Sequence, residues 1–302
     1  MNIIFFGTHN FAASMLEGLI RSSFVNVVCV FTQPDRSVGR KQTLETPPVK
    51  ILAEEYHIPV EQAKSLKNNF QFPKYKAHLH IVAQYGLLIP KHIIDAPQYG
   101  TINVHTSLLP KYRGASPIQS AIMQGETETG VTIMKMDEGL DTGPILSQQT
   151  IRIGPDDMFA TVEKNLIDAA VPLLRKTMEG YISGTIEPIP QDNTLATVCT
   201  KLSRDDGKID WTTSSKEIYN RYRGLTPWPG VWTEWRGRRL KLLSVRPSSK
   251  KAPCGQLCRE GDALMIGCAD GSLEIRMLQM EGKKPMTAKE WINGFRSLLL
   301  HS

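Results

Sequence analysis

Two polar side chains stand together near the end of what reads as a buried strand, in the segment INVHTSLLPKYRG that begins at Ile102. Ile102 and Val104 occupy one face of the alternating pattern, which places Asn103 and His105 on the other face. Burying an amide and an imidazole without hydrogen-bond partners costs free energy. Side chains of these types that point the same way are suited to holding the oxyanion that forms when a carbonyl carbon is attacked.

A carboxylate that can complete this pair is Asp141, in the segment GVTIMKMDEGLDTGPIL. Gly139 and Gly143 flank it, which suits a tight loop that follows a strand. A nearby carboxylate can orient an imidazole and help to move protons, so the trio fits transfer of an acyl-like group to an amine without a covalent enzyme intermediate. The N-x-H pattern alone is a weak signal, and a histidine at a strand end with satisfied hydrogen bonds is the structural alternative.

Several common kinds of site find no support in the sequence. The first loop, FFGTHNFA, has one glycine, and neither G-x-G-x-x-G nor G-x4-G-K-[ST] occurs, which disfavours a dinucleotide or phosphate-loop site. No G-x-S-x-G elbow is present. The five cysteines are scattered and predict free thiols, so we expect no metal site. His78 and His80, two residues apart on a predicted strand, favour a solvated strand face over a metal pair.

The elements that must position the trio alternate between strand and helix. Such alternation predicts an α/β fold with a Rossmann-like, open and mostly parallel sheet and helices on both faces. In such sheets ligands bind beyond the carboxyl ends of the strands, where Asn103 and His105 would lie. We expect this domain at residues 1–188, a linker at 189–207, and a small β-barrel (OB-like) C-terminal domain at 208–302, where short strands alternate with turn signals.

The net charge of +6 is unevenly placed along the chain. Residues 201–302 hold 19 Lys and Arg against 11 Asp and Glu, a net of +8, whereas residues 1–200 have a net of −2. The alternatives are a solvated basic domain and an electrostatic footprint for a polyanion such as nucleic acid. The sequence contains no run of about 18 apolar residues, and MNIIFFG reads as a strand, so we expect a cytoplasmic protein with no membrane contact. A monomer is the default expectation, because no sequence feature bears on the oligomeric state.

The combined motifs carry a family resemblance. N-x-H-x-S-L-L-P-x-x-R-G followed by D-x-G-L-D-T-G is similar to the 10-formyltetrahydrofolate-dependent formyltransferases. FFGTHNFA, VFTQPDRSVGR and AQYGLLIP support it, and KIDW and PWPG resemble the C-terminal domain of the members that formylate initiator tRNA. The resemblance runs from residue 3 to beyond residue 290 and implies an enzyme with 10-formyltetrahydrofolate as the formyl donor.

The resemblance also implies roles for particular residues. Asn103, His105 and Asp141 match the catalytic trio of the family. The folate would contact the turn Ser107, Leu108, Leu109 and Pro110, and the main chain of Leu87, Leu88 and Ile89 would hold the pterin edge. Arg113 would either pair with a carboxylate or close the loop structurally. His9, Gln84, Thr106 and Tyr112 depart from the usual pattern, which leaves the shape of the first loop and the pocket rim open.

The resemblance further implies that the acceptor is the α-amino group of methionine on initiator methionyl-tRNA. The insert Thr32–Lys50 resembles a loop placed against the acceptor stem, and the basic C-terminal domain would contact the tRNA backbone. The residues expected to contact tRNA are Arg40, Lys41, Lys201, Arg204, Arg238 and Arg239. A formyltransferase acting on a sugar-nucleotide amine is the rival enzyme. A nucleic-acid-binding module with a vestigial catalytic domain is the rival from another class.

Overall fold

The computed structural model describes residues 1–38, 43–66 and 75–295. The chain forms two compact units that are discontinuous in sequence. The first unit contains the described residues of Met1–Pro117, Glu128–Arg152 and Glu163–Cys199. The second contains those of Ile118–Thr127, Ile153–Val162 and Thr200–Ser302. The domain limits at residues 188 and 207 stay predictions.

The first unit is built on a mostly parallel sheet whose strand order is β10-β9-β7-β6-β1-β2-β5. Only β9 runs against its neighbours among these strands. Strands β3 and β4 form a separate antiparallel hairpin, and β8 pairs with β11. The strands of this unit are β1 Asn2–Gly7, β2 Asn26–Thr32, β3 Arg36–Val38, β4 Thr43–Glu45, β5 Val60–Gln62, β6 Leu79–Ala83, β7 Thr101–His105, β8 Arg113–Gly114, β9 Glu128–Lys135, β10 Ile145–Arg152 and β11 Val198–Cys199.

The helices of the described chain are mostly amphipathic, and the first ones follow strands of the parallel sheet, as the alternating pattern predicts. The longest, α5, is buried along one stripe that includes Val162, Leu166 and Leu174, with the opposite face in solvent. The helices are α1 Asn10–Ile20, α2 Pro48–Glu55, α3 Lys91–Ile94, α4 Pro117–Met123, α5 Phe159–Ser183, α6 Ser215–Leu225 and α7 Ala288–Gly294.

The centre of the sheet is apolar on both faces. Strand β1 reads NIIFFG and is buried from Ile3 onward, as expected for a central parallel strand covered on both sides. One position departs from expectation: His80 on β6 is 2% exposed, so the predicted solvated strand face is wrong for this residue. Burial lowers the pKa of His80 to about 4, which keeps the ring neutral inside the sheet.

The second unit holds an antiparallel, barrel-like sheet in the order β12-β13-β16-β15-β14, with β17 paired to β16. Its interior is formed by apolar residues of these strands together with α6 and α7. Helix α6 begins with a capping box in which Ser214 and Glu217 satisfy each other's main-chain N–H groups. The strands are β12 Val231–Trp235, β13 Arg238–Ser248, β14 Leu257–Glu260, β15 Ala263–Gly267, β16 Ser272–Met280 and β17 Met286–Thr287.

The architecture expected from the sequence is confirmed, with differences at the edges. The insert Thr32–Lys50, expected as a loop, contains the antiparallel pair β3–β4, and residues 39–42 between the two strands lie outside the described residues. The outer strand β10 was not expected, because its exposed side is polar. Within the described ranges, no helix has the length and apolar character needed to cross a membrane.

Candidate active site

Strand β7 places the amide of Asn103 and the imidazole of His105 at its carboxyl end, as predicted. Its residues pair with β6 on one side and β9 on the other, up to Asn103 and His105. Asn103 is half-buried and His105 is 6% exposed. The Nδ2 of Asn103 donates a hydrogen bond to Oδ1 of Asp141 at 3.4 Å. The three predicted side chains therefore meet at the carboxyl end of a central strand.

The imidazole of His105 is held by the main chain. Its Nε2 lies 2.9 Å from the carbonyl oxygen of Tyr112. A carbonyl only accepts, so Nε2 carries a proton and donates it. In the neutral ring Nδ1 therefore bears the lone pair, and Nδ1 lies 3.7 Å from Oδ2 of Asp141. This separation exceeds a hydrogen bond, so the carboxylate acts on the ring through its charge.

The carboxylate itself is fixed by the segment that follows the turn. The N–H of Gly114 donates to Oδ2 of Asp141 at 2.8 Å. Asp141 has a φ of 53°, in the left-handed region that residues with a side chain rarely adopt. Gly143 allows the loop to pass close to the preceding strand, because a Cβ there would collide with the carbonyl oxygen of Lys135. The expected tight loop around Asp141 is present.

The turn expected to contact the folate is braced from behind. Ser107 is fully buried, and its hydroxyl donates to the carbonyl oxygen of Lys111 at 2.6 Å. Leu109 is 3% exposed, whereas Leu108 and Pro110 are half-buried. Ser107 and Leu109 therefore shape the turn from inside, and Leu108 and Pro110 present its apolar surface.

A second loop leaves the same sheet edge after β6, which is the parallel neighbour of β7. Leu88 is 77% exposed, Leu87 is half-buried and Ile89 is buried. No described residue forms a hydrogen bond with the main-chain groups of Leu87 or Leu88. Open main-chain groups beside apolar side chains suit an aromatic ring with an amide-like edge. The contact of these residues with a pterin stays a prediction.

The residues expected to contact tRNA divide into two sets. Arg40 and Lys41 lie outside the described residues. In the second unit, Lys201, Arg204 and Arg238 are exposed. Arg239 is partly buried, with its guanidinium 3.8 Å from the centre of the Trp232 ring and 3.7 Å from the carboxylate of Asp205. Arg239 therefore has a structural role in this unit.

Sequence reasoning missed several groups that support the site. The hydroxyl of Thr132 donates to the carbonyl oxygen of Ser107 and accepts from the N–H of Leu109. Gln148 donates to the carbonyl oxygen of Leu109. Gln191, from the segment after α5, donates to the carbonyl oxygen of Asp141. No sequence signal marked these residues, because each acts on main-chain atoms far along the chain. In the described parts of the chain, no group of three His, Cys, Asp or Glu side chains is placed to bind a metal ion.

Comparison with known proteins identifies the family of this chain. The model of the family described as "Formyl transferase" matches residues 1–178. The model described as "Formyl transferase, C-terminal domain" matches residues 201–296.

Two bacterial relatives match across nearly the whole chain. A methionyl-tRNA formyltransferase of Caldicellulosiruptor saccharolyticus is 40% identical, over 98% of this chain and 97% of its own length. One from Acidobacterium capsulatum is 42% identical, over 97% and 96% respectively.

Solved structures share the fold at low identity. An N-formyltransferase from Helicobacter canadensis, in complex with folinic acid and dTDP-3-aminofucose, has a TM-score of 0.67 and 20% identity, and the match covers 92% of this chain and 98% of that one. The methionyl-tRNA formyltransferase from Clostridium thermocellum has a TM-score of 0.54 and 21% identity, with coverage of 83% and 94%. The matches to both family models and the relatives of about 40% identity show that this chain belongs to the formyl transferase family, among the methionyl-tRNA formyltransferases.

Proposed function

We propose that this enzyme transfers a formyl group from 10-formyltetrahydrofolate to the α-amino group of methionine on initiator methionyl-tRNA, and so supports translation initiation. The observation that carries the proposal is the convergence of Asn103, His105 and Asp141 at the end of β7, with both Asn103 Nδ2 and His105 Nδ1 facing the same carboxylate. The relatives of about 40% identity that match nearly the whole chain are named methionyl-tRNA formyltransferases, which supports the proposal.

The two loops at this edge of the sheet fit the formyl donor. The main chain of Leu87 and Leu88 offers open hydrogen-bonding groups to a pterin, and Leu108 and Pro110 offer an apolar wall. When bound, the donor supplies an electrophilic formyl carbon on a nitrogen that can leave. Residues Ser107, Leu109, Thr132 and Gln148 act behind the wall by keeping the turn in one shape.

The three polar side chains divide the chemical work. An amide nitrogen has two N–H groups, so Asn103 can donate one to the oxygen that gains negative charge while the other stays directed at Asp141. His105 is held through Nε2 by Tyr112, which leaves Nδ1 to take the proton released by the attacking amine. Asp141 stabilises the imidazolium through its charge until that proton passes to the departing nitrogen.

The positive charge of the second unit, as well as the similarity to named relatives, favours methionyl-tRNA as the acceptor. An α-amino group with an ordinary pKa of about 7.7–8.0 is partly deprotonated near neutral pH, so it can attack as the free amine. The exposed cations Lys201, Arg204 and Arg238 of the second unit suit a phosphate backbone, and binding through them would weaken as salt rises. We propose that the enzyme acts in the cytoplasm, where tRNA is charged, and that it is a monomer.

The proposal is tested by measuring formyl transfer from 10-formyltetrahydrofolate to charged initiator tRNA. Elongator methionyl-tRNA and a 4-amino-sugar nucleotide compete in parallel reactions. Preference for the initiator tRNA is the expected result. Transfer to the sugar nucleotide alone would keep the chemistry and overturn the acceptor. Salt-sensitive tRNA binding without any turnover would favour a binding module instead.

A further inference from the structure

The main chain of the Asp141 loop is held by a residue that neither family model covers. Gln191 lies between α5 and β11, in the interval between the matches at 1–178 and 201–296. Its Nε2 donates to the carbonyl oxygen of Asp141 at 2.8 Å and to that of Gly143 at 2.7 Å. One amide group therefore holds two main-chain points of the loop that carries the carboxylate.

The opposite end of this side chain is fixed by a buried cation. Oε1 of Gln191 accepts hydrogen bonds from Nε and Nη2 of Arg113 at 3.1 and 2.7 Å. Arg113 is 8% exposed, and its Nη2 also donates to Oδ1 of Asn193 at 2.8 Å. A guanidinium has only donors, so the amide oxygen must face Arg113 and the NH2 group must face the loop. The network thus sets the direction of the amide.

The same arrangement decides between the two readings of Arg113. Its guanidinium donates to amide oxygens of residues 191 and 193, so it closes the loop structurally instead of pairing with a carboxylate. Arg113 is also the first residue of β8, and the next residue, Gly114, gives its N–H to the carboxylate of Asp141. Both the main chain and the side chain of Asp141 are therefore held from this corner of the first unit.

Asp141 needs such support because of its backbone. A φ of 53° at a non-glycine residue persists only where the surroundings determine it. A catalytic group must be held within about 0.5 Å of its working position. Two hydrogen bonds from the amide of Gln191, which is oriented by Arg113, supply that restraint from a residue 50 positions away in sequence.

We propose that Gln191 is a positioning residue for Asp141, acting without contact to substrate by holding the loop between Asp141 and Gly143. This rests on the proposed function, in which the carboxylate of Asp141 faces the imidazolium. The NH2 group of the amide donates to the loop. The amide oxygen accepts from Arg113, which fixes the orientation of the whole amide group.

The variant Gln191→Glu separates these two halves. The carboxylate still accepts from Arg113, but it places an oxygen against the carbonyl oxygens of Asp141 and Gly143 and pushes the loop away. We expect kcat to fall about 10- to 100-fold, because a displacement near 1 Å can cost that much. KM for the folate and for the tRNA should stay within about threefold, since Gln191 does not touch either substrate.

The matched control is the neighbouring residue. Asp192 caps the short 3-10 helix Asn193–Leu195, and its carboxylate accepts its hydrogen bonds from Thr194. Asp192→Ala loosens the same segment, and we expect kcat within about twofold of the parent. Equal kcat values for Gln191→Glu and Asp192→Ala would overturn the proposal.

A second variant keeps the test decisive if Gln191→Glu folds poorly. Arg113→Lys retains the charge but loses the fork that aims the amide. If Arg113 acts through Gln191, the double variant should be no slower than the slower single variant, whereas independent roles would multiply the two losses. A loss of kcat that matches the loss of folded protein, measured by circular dichroism, would overturn the proposal. Failure of the parent enzyme to formylate methionyl-tRNA would instead overturn the proposed function.

Discussion

The end of β7 in the first unit and the basic surface of the second unit are built in opposite ways. His105 and Arg113 are 6% and 8% exposed, and each has a hydrogen-bond partner at a defined distance. Lys201, Arg204 and Arg238 are exposed cations. In the buried site each group depends on its neighbours, so one change displaces several. On the surface the charges together create the electrostatic potential, so one substitution removes only a fraction of that potential.

The largest expected effect is at the imidazole. His105→Ala removes the proton acceptor at Nδ1 and the hydrogen bond to Tyr112, and we expect kcat to fall by about 10³-fold or more. Single-turnover formyl transfer, with the variant saturated by both substrates, measures this. His92→Ala, at an exposed position on α3, is the control and should behave as the parent. Near-full activity of His105→Ala would show that the site is misassigned.

The carboxylate should matter somewhat less than the imidazole. Asp141→Asn keeps an oxygen that can accept from Gly114 but removes the charge that faces Nδ1 of His105. We expect kcat to fall about 10²-fold, with the folded state intact, because the variant loses the stabilisation of the imidazolium and the acceptor for Asn103. The rate constant and the thermal unfolding midpoint are measured together. A large drop in the midpoint with an unchanged rate constant would assign Asp141 a structural role.

Burial has a further consequence at His80, inside the same sheet. Burial lowers the pKa of His80 from 6.5 to about 4, so below pH 6.5 the unfolded chain takes up a proton that the folded chain does not. Above pH 6.5 the ring is neutral in both states, and the folded state keeps its full stability. As the pH falls from 6.5 towards 4, this proton uptake lowers the free energy of unfolding by about 3 kcal/mol. Urea unfolding of the parent and of His80→Met between pH 7 and 4 tests this, and the variant should lack that part of the slope.

The smallest effect is expected from one surface charge. Arg238→Gln should weaken tRNA binding about twofold to fivefold and lower the slope of log affinity against log salt by about 1. Arg175→Gln, in the first unit, removes an equal charge that is paired with Glu179 and should leave the slope unchanged. A loss of 100-fold from Arg238 alone would mean that the surface, like the buried site, depends on single contacts.

The two regions also differ in how far the sequence predicts them. The alternation in Ile102–His105 was enough to place Asn103 and His105 together, because a strand has a fixed period of two. Asp141 was identified from its glycine-flanked loop. The hydrogen bonds of Tyr112 and Gln191 escaped prediction, since one uses a carbonyl oxygen and the other spans 50 residues. On the surface, composition predicted the charge of the second unit, while Arg239 proved to stack on Trp232.

The elements at the periphery of the fold were also harder to predict from the sequence than the central strands. The apolar run near the N-terminus predicts a first strand, and the structure confirms it as β1. The outer strand β10, ILSQQTIR, has one solvated side and an irregular register against β9, so its pattern was too weak to predict. The hairpin within Thr32–Lys50 was missed because its strands are three residues each.

The central claim is that the trio at the end of β7 performs the chemistry and the exposed cations only bind tRNA. The most direct measurement compares two variants for both equilibrium binding of methionyl-tRNA and the single-turnover rate at saturation. We predict that His105→Ala binds tRNA within about twofold of the parent but reacts about 10³-fold more slowly. The variant in which Lys201, Arg204 and Arg238 are all Gln should bind weakly and react at the parent's saturating rate. A slow saturating rate in the charge variant, or lost tRNA binding in His105→Ala, would contradict the account.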